Sequence, residues 1–488
     1  MENKDFEKDL LGQELENESN LLDVQRKERE HQRVKLVMQA ILKVIVSKEK
    51  EMAAIKEAAG GKCQKQLKQM VEDEVLRCAD GVLWCPDYSQ RPHSDQLIDC
   101  YVGSYWMRVP SPQWKDFVND CAERCGLPME LRKDENYMEG LYKGMAFRIF
   151  KFVEATDSGD KILLNFPNGT LEIDSDGSIV KREHRREDLF YYCLPYNYDP
   201  SAECPLWLKF LDEMLPDPKA QQMLGEYICY ILMRSHRLEV MLWLYGSGGN
   251  GKSTVLKTLI ALLGAENISE ISLEHLTQDV IMRAEFEHKL LNCSSEAGDK
   301  INSSALKQIV SGEAVPVMLK YENPRYITDY GKLIVSTNTM PKPEQTDAFF
   351  RRTKILPFLT TITPEKKDTK LAEKLQGELA GILNWALGFM PDLLKRGAIT
   401  SCESSEQALE EYRLSTDSVK AFLHEKLEKS DSYTDGKVIF NAYKEFCDEA
   451  RLYALQRNTF YIRLNDLTKL GDKKNGRTWR FLLKIVES

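Results

Sequence analysis

The sequence predicts an α/β protein, and three patterns carry that expectation. An apolar run of strand length, Val240 to Tyr245, feeds directly into a glycine-rich loop and then into a helix with one apolar face. Two more buried-strand patterns follow, Lys289 to Glu296 and Gly331 to Asn338. Upstream, residues 161–181 read as three short strands punctuated by Asn168-Gly169 and Asp176-Gly177, both hairpin-turn signals.

At roughly 150 residues per domain, 488 residues should hold about three domains. The formal charge of −9 is mild, so any nucleic-acid site must gather its cations locally against a weakly repelling whole-molecule field. The segment Met1 to Leu10 is acidic and lacks an apolar core, which disfavours a secretory signal or transit peptide. No run approaches the roughly 20 apolar residues that cross a bilayer, so a cytoplasmic protein without a membrane partner is expected. Twelve cysteines are scattered without a C-x-x-C pair; Cys121 and Cys125 read as half-buried thiols in a reducing compartment.

In chain order, residues 1–94 form a helical region, since Asn20 to Leu76 lacks proline and repeats apolar residues such as Val34, Met38, Ile41 and Ile45. Gly60-Gly61 should break it. Residues 95–235 read as a mixed α/β domain: short strands from Leu97 to Arg108, a helix from Gln113 to Cys125, the three-strand meander, and helices from Pro205 to Met233. Asp174 and Asp176 are spaced like metal-binding acids but sit in a turn, where Asp is common for conformational reasons. Residues 236–400 hold the glycine-rich loop and end in a helical lid with Leu371, Leu375, Leu379, Ile382 and Leu383 as core.

The loop Gly246-Ser247-Gly248-Gly249-Asn250-Gly251-Lys252-Ser253, followed by Thr254, fits G-x-x-x-x-G-K-[ST] between a strand and a helix, the context a P-loop requires. Glycines let the backbone wrap phosphates, Lys252 reaches the β- and γ-phosphates of ATP, and Ser253 ligates Mg²⁺. Downstream groups must then separate a kinase from an ATPase. Glu296 ends what reads as a neighbouring strand, where an acid can polarise water or hold Mg²⁺ through a water. Asn338 ends the next one, where an amide can bond both the lytic water and the γ-phosphate. Arg351 and Arg352 follow, and an arginine donated from a neighbouring subunit stabilises charge developing in phosphoryl transfer.

The order Gly246 to Ser253, Glu296, Ser311-Gly312-Glu313, Lys320-Tyr321, Ser336-Thr337-Asn338 and Phe350-Arg351-Arg352 resembles the superfamily 3 helicases, in particular the phage and plasmid primase-helicase type related to poxvirus primase-helicase ATPases. The likeness extends upstream through Asn165 to Gly169 and Leu194-Pro195-Tyr196, and downstream through Glu378 to Trp385, covering residues 95–488. It implies an AAA+-like P-loop ATPase core, a helicase-associated α/β domain ahead of it, a hexameric homo-oligomer hydrolysing Mg-ATP at subunit interfaces, and 3′-to-5′ movement on single-stranded or forked DNA. A bacterial host cytoplasm is the implied setting. Glu296 stands alone after Ser295, whereas many members of that superfamily carry paired acids, so it is read as base, metal ligand or both. Too little chain precedes the core for a primase domain, so a primase or polymerase is expected on a separate polypeptide.

By the same resemblance, a hairpin within Val315 to Ile327 presents Lys320 and Tyr321 to DNA in the channel. From Arg451 onward nine basic residues face three acidic ones. Three helix patterns and a strand-turn-strand in residues 401–488 suggest a winged helix, with Arg457, Asn458, Tyr461 and Arg463 on the third helix and Lys473 and Lys474 on the wing. A small-molecule kinase and an ATP-regulated DNA-binding initiator without unwinding activity stand as the alternative readings.

Overall fold

The computed structural model describes residues 28, 32–59, 63–79, 82–84, 98–149, 161–295, 298, 300–319, 324–341, 347–361, 368, 370–450, 454–474 and 478–486. Helices occupy 32–44, Glu49–Ala59 and Gln64–Ala79. One helix ends at Ala59 and the next starts at Gln64, while Gly60 and Gly61, expected to break the helix, lie outside the described residues; a break at 45–48 had no sequence signal. Val34, Met38 and Ile41 are buried together with Leu67, Val71 and Val75, in one apolar cluster with Trp114, Phe117 and Val118 of helix Ser111–Cys125. Cys121 and Cys125 are fully buried in that cluster, which is why their helical spacing signals packing.

The meander forms as its turn dipeptides predict: Ile162–Phe166, Gly169–Ile173 and Ile179–Arg182 pair in antiparallel order. Asp176 accepts a bond from Ser178 N at 2.9 Å and Asp174 lies 3.4 Å from Lys161 Nζ, so both serve the turn. No group of three or more metal-ligating side chains occurs among the described residues.

The outlying motif residues act as clasps between elements. Asn165 Nδ2 donates to Tyr192 O and Ser104 O at 2.8 and 2.9 Å, while Asn168 exchanges two bonds with Tyr198, at 3.0 Å each. Glu378 accepts from Leu206 N and Trp207 N at 3.1 and 3.0 Å, satisfying the open amides of helix Pro205–Met214 from a distant segment. A Cβ at Gly381 would come within 2.2 Å of Glu203 O, so only glycine permits that approach. Asn384 closes the clasp on Asp199 O and Ala202 O. Thus the lid helices, Leu371–Leu375, Leu379–Leu387 and Met390–Arg396, are held to the front of the molecule, with Leu375, Ile382 and Leu383 fully buried as expected and Leu371 and Leu379 partly so.

The centre is a five-stranded, all-parallel sheet in the order Thr353–Pro357, Met241–Tyr245, Lys332–Thr337, Leu291–Ser294, Ile268–Ser269. Alternation along each strand divides the apolar residues between two faces. Leu242, Leu244, Ile334 and Leu356 join the cluster that contains helices Pro218–Leu232 and Lys252–Leu263; Met241, Trp243, Val335 and Ile355 join a second with Phe286, Leu306, Ile309 and Phe349. Burial on both sides explains the unbroken apolar runs in the sequence. Leu291–Ser294, expected beside the loop-bearing strand, lies one strand further out, because Lys332–Thr337 inserts between them.

Residues beyond 400 form helices Glu403–Thr416, Ser418–Lys426, Gly436–Glu449 and Arg457–Thr468, with an antiparallel sheet of Leu427–Asp435, Thr478–Ile485 and Gly471–Lys474. Phe422, Tyr443, Phe460 and Phe481 centre their own core. The long strand Leu427–Asp435 was missed because its sequence, LEKSDSYTD, is polar apart from Leu427 and Tyr433 and has no alternation to detect.

His236 packs against the foot of the central sheet, a ring nitrogen 3.2 Å from Gly331 O and its ring 5.0 Å from that of Tyr330. Burial, and then the charge of Lys332, lowers its pKa from 6.5 to about 4. The unfolded chain therefore takes up a proton that the folded one refuses; the neutral ring favours the fold above pH 6.5, and that contribution is lost as the pH falls towards 4. Melting temperatures across this window should fall more steeply for the native protein than for His236→Asn. Parallel profiles would show that the ring is free to protonate in place.

Candidate functional site

The strand Met241–Tyr245 ends at the carboxyl edge of the sheet, and the chain turns there through three residues of positive φ: Gly248 at 101°, Gly249 at 63° and Gly251 at 87°. A Cβ on Gly248 or Gly249 would meet nothing within 4 Å, so backbone conformation rather than crowding selects glycine. Gly246 is different: its Cβ would collide with Asn250 Nδ2 and Phe358 O. Asn250, 2 % exposed, braces the loop by donating to Phe358 O at 3.0 Å. Sequence reasoning placed Asn250 in the loop but could not see this role, which depends on a contact 108 residues away.

Lys252 opens helix Lys252–Leu263 and is only 5 % exposed. Its ammonium donates to Gly246 O at 2.7 Å, Asn250 Oδ1 at 3.0 Å and Asn338 Oδ1 at 3.0 Å. All three acceptors are neutral, and burial lowers its pKa. A buried cation bonded to neutral oxygens, next to an open glycine turn and a helix N-terminus, is poised for an anion. Loop and downstream amide, widely separated in sequence, therefore converge on one atom. Ser253 follows, exposed, and Thr254 is half-buried, its carbonyl accepting from Thr258 Oγ1 at 2.8 Å.

Glu296, Lys320 and Tyr321 lie outside the described residues. The strand leading to Glu296 ends at the same sheet edge as Asn338, since Ser294 pairs with Val335. The hairpin expected around Lys320 has a two-stranded root, Val315–Val317 with Arg325–Ile327. Buried arginines pin it: Arg283 donates to Leu276 O, Thr277 O and Pro316 O, and Arg325 pairs with both oxygens of Glu287.

Arg351 and Arg352 part company. Arg352 is held within its own chain, donating to Glu239 Oε2 at 2.7 Å, Ser311 Oγ at 2.9 Å and Ala348 O at 3.2 Å. The side chain of Arg351 is 69 % exposed and reaches only to 3.7 Å from the same Glu239. Both precede strand Thr353–Pro357, whose first residue pairs with Met241, so they stand at the amino edge of the sheet, opposite the loop. Five residues of strand separate the two edges, about 16 Å at roughly 3.3 Å per residue. Glu239 was missed entirely; its positive φ of 49° and its pairing with both arginines leave no local sequence signal.

The C-terminal candidates also divide. Arg457 is exposed and lies 5.2 Å over the Phe440 ring. Arg463, expected to face DNA, turns back to Asp417 with bonds of 2.6 and 3.1 Å. Tyr461, expected on the same face, is 6 % exposed and packs among Phe440, Trp479 and Phe481, because the helical repeat puts it on the core stripe with Phe460 and Leu464. Exposed Asn458, Thr459 and Ile462 occupy the outer face instead. Lys473 and Lys474 lie in strand Gly471–Lys474, with side chains outside the described set.

A family of unknown function, DUF5906, matches residues 244–352, from the strand feeding the loop to Arg352, and a D5 N terminal like family matches residues 133–216. The protein named "Putative helicase L207/L206" of Acanthamoeba polyphaga mimivirus is 23% identical over 313 residues, 58% of this chain and 32% of that one. "Putative helicase 121R" of Invertebrate iridescent virus 3 is 22% identical over 322 residues, 57% of this chain and 34% of that one. The chain thus spans about a third of the length of these curated relatives. Among solved structures, the apo C-terminal region of NrS-1 superimposes with TM-scores of 0.51 and 0.52 in two forms, at 12% and 13% identity, covering 85% and 86% of this chain and 98% and 99% of those. The chain is thus similar to viral proteins named putative helicases and, over residues 133–216, to the D5 N terminal like family. Its mixed α/β architecture around a parallel sheet is shared with the NrS-1 region. No described helix is long and apolar enough to cross a membrane.

The neutrality of the Lys252 shell can be tested directly. Asn338→Asp would set a carboxylate 3.0 Å from the ammonium, raising the lysine pKa and stabilising the ligand-free fold by about 1 kcal/mol. It should melt higher than native in calorimetry, and inorganic pyrophosphate should raise the native melting temperature but not that of the variant. A lower melting temperature would mean the ammonium already has its counter-charge.

Proposed function

We propose that this chain is an ATP-dependent DNA helicase, a ring-forming translocase that serves the replication of a phage, plasmid or related mobile element. The observation that carries this reading is the division of the site between two edges of one sheet. Lys252 and Asn338 stand at the carboxyl edge, bonded to each other, while the exposed Arg351 stands at the amino edge. A triphosphate on the loop of one copy would meet Arg351 only from a second copy. This arrangement speaks against a small-molecule kinase, which needs its arginines at the mouth of its own loop.

In this reading the loop amides and Lys252 hold the β- and γ-phosphates, with Asn250 keeping the turn in shape. Asn338 orients the lytic water towards the γ-phosphate, with Glu296 proposed to take its proton. Ser253 and Glu296 would hold Mg²⁺, which supplies positive charge to the phosphate oxygens. Arg351 enters the neighbouring site as the phosphate turns over, and Arg352 anchors the turn that carries it. A hexamer, 3′-to-5′ polarity and channel contacts by Lys320 and Tyr321 follow the superfamily 3 resemblance. The order of helices and strands after residue 417 fits a winged helix, with Arg457 and the wing lysines 473 and 474 towards duplex DNA.

The decisive experiment is unwinding of a forked duplex with ATP and Mg²⁺, with particle mass recorded on the same samples. Lys252→Ala should neither unwind nor hydrolyse. Arg351→Ala should bind nucleotide normally but turn over about 10³-fold more slowly. Mixing these two inactive variants should recover part of the ATPase, since some interfaces then pair an intact loop with an intact arginine. Arg352→Ala should instead lower the melting temperature. Full turnover by Arg351→Ala as a monomer would refute the shared site.

A further inference from the structure

Tyr412 belongs to helix Glu403–Thr416, which leads out of the sheet towards the C-terminal core, yet its ring is buried in the sheet's second apolar cluster, at 5 % exposure. It packs edge-on against Phe349 and Phe350, with ring centroids 6.2 and 5.6 Å away, and those two rings meet at 5.5 Å. The Arg413 guanidinium covers Phe350 from 5.2 Å. The Tyr412 hydroxyl donates to Pro341 O at 2.6 Å.

These partners lie on two functional segments. Phe349 and Phe350 form the short helix Asp347–Arg351, which ends in the exposed arginine. Pro341 lies three residues beyond Asn338, whose amide meets Lys252. One side chain therefore touches both the segment that carries the outgoing cation and the segment that carries the amide at the phosphate loop. On the other side, Asp417 follows the same helix, caps Ser418–Lys426 through Val419 N and Lys420 N at 3.1 Å, and accepts Arg463 at 2.6 Å from helix Arg457–Thr468. Packed aromatic rings and short charged bonds move as a unit rather than deforming smoothly, so a tilt of helix Glu403–Thr416 shifts both segments.

We propose that Tyr412 is a positioning residue for ATP turnover, holding the Arg351 helix and the Asn338 loop in fixed relation, and that the Arg463–Asp417 pair relays the DNA-bound state of the C-terminal domain to it. The inference rests on the hydrolysis reading above. It also gives Arg463 a role other than contacting DNA.

The test uses the full chain. Tyr412→Phe keeps the ring stack and removes the hydroxyl that bonds Pro341 O. Turnover of ATP should fall about fivefold in kcat, while KM, affinity for a non-hydrolysable ATP analogue and melting temperature stay within about twofold or unchanged. A native kcat, or a fall matched by loss of folded protein, overturns the positioning role. Arg463→Met, remote from the sheet, should cut stimulation of turnover by single-stranded DNA at least about threefold with DNA affinity kept within about twofold. Retained stimulation overturns the relay, and so does lost DNA affinity, which would return Arg463 to the DNA face. Native turnover that needs Lys252 but ignores Tyr412 overturns the positioning alone; turnover indifferent to Lys252 overturns the underlying reading and this proposal with it.

Discussion

The ammonium of Lys252 is buried among three neutral oxygens, and much of the molecule's architecture is needed to put it there. Gly246 O comes from the turn, Asn250 Oδ1 from a side chain braced on Phe358, and Asn338 Oδ1 from the end of a neighbouring strand. A carboxylate in any of these places would neutralise the charge and leave an incoming anion little to gain. Neutral acceptors satisfy the hydrogen-bonding capacity of the group without cancelling its field. That requirement fixes the register of the sheet: Thr337 must pair with Tyr245 for Asn338 to reach the loop.

A parallel sheet has two unlike edges, and this one uses both. Every strand ends its carboxyl terminus at the side of the glycine-rich loop and begins on the other, so any residue just before a strand is carried away from the loop. Arg351 and Arg352 are such residues. Their difference then follows from Glu239, which stands just ahead of the loop-bearing strand and pairs closely with Arg352 while leaving Arg351 largely in solvent. A single carboxylate can satisfy one guanidinium well, and the second is thereby left available.

What could be read from sequence was whatever has a local cause. The sheet strands announce themselves because burial on two faces demands uninterrupted apolar residues, and the meander because Asn168-Gly169 and Asp176-Gly177 permit tight turns. The loop was legible because positive φ at Gly248, Gly249 and Gly251 tolerates little else. Long-range pairings were not. Nothing near Arg463 in sequence says that Asp417 will claim it, and nothing near Glu378 says that it caps a helix 171 residues earlier. The same blindness made Tyr461 look like a surface residue, since one helical position separates the core stripe from the exposed Ile462.

The basic tail illustrates why counting charges differs from locating a field. Of its cations, Arg463 pairs with Asp417, Arg480 with Asp472 at 2.6 Å, Lys484 with Glu428 at 3.0 Å and Lys469 with Asp466 at 3.4 Å. Paired charges present a dipole, whose field falls off faster than that of an isolated cation, and they release few counterions when a phosphate approaches. The surplus apparent in the sequence is therefore concentrated on Arg457 among the described side chains, beside the uncharged Asn458, Thr459 and Ile462. In an acidic chain, the hold on a strand proposed above would come from repetition of modest contacts around an assembly, and the proposed shared nucleotide site would bring such copies together.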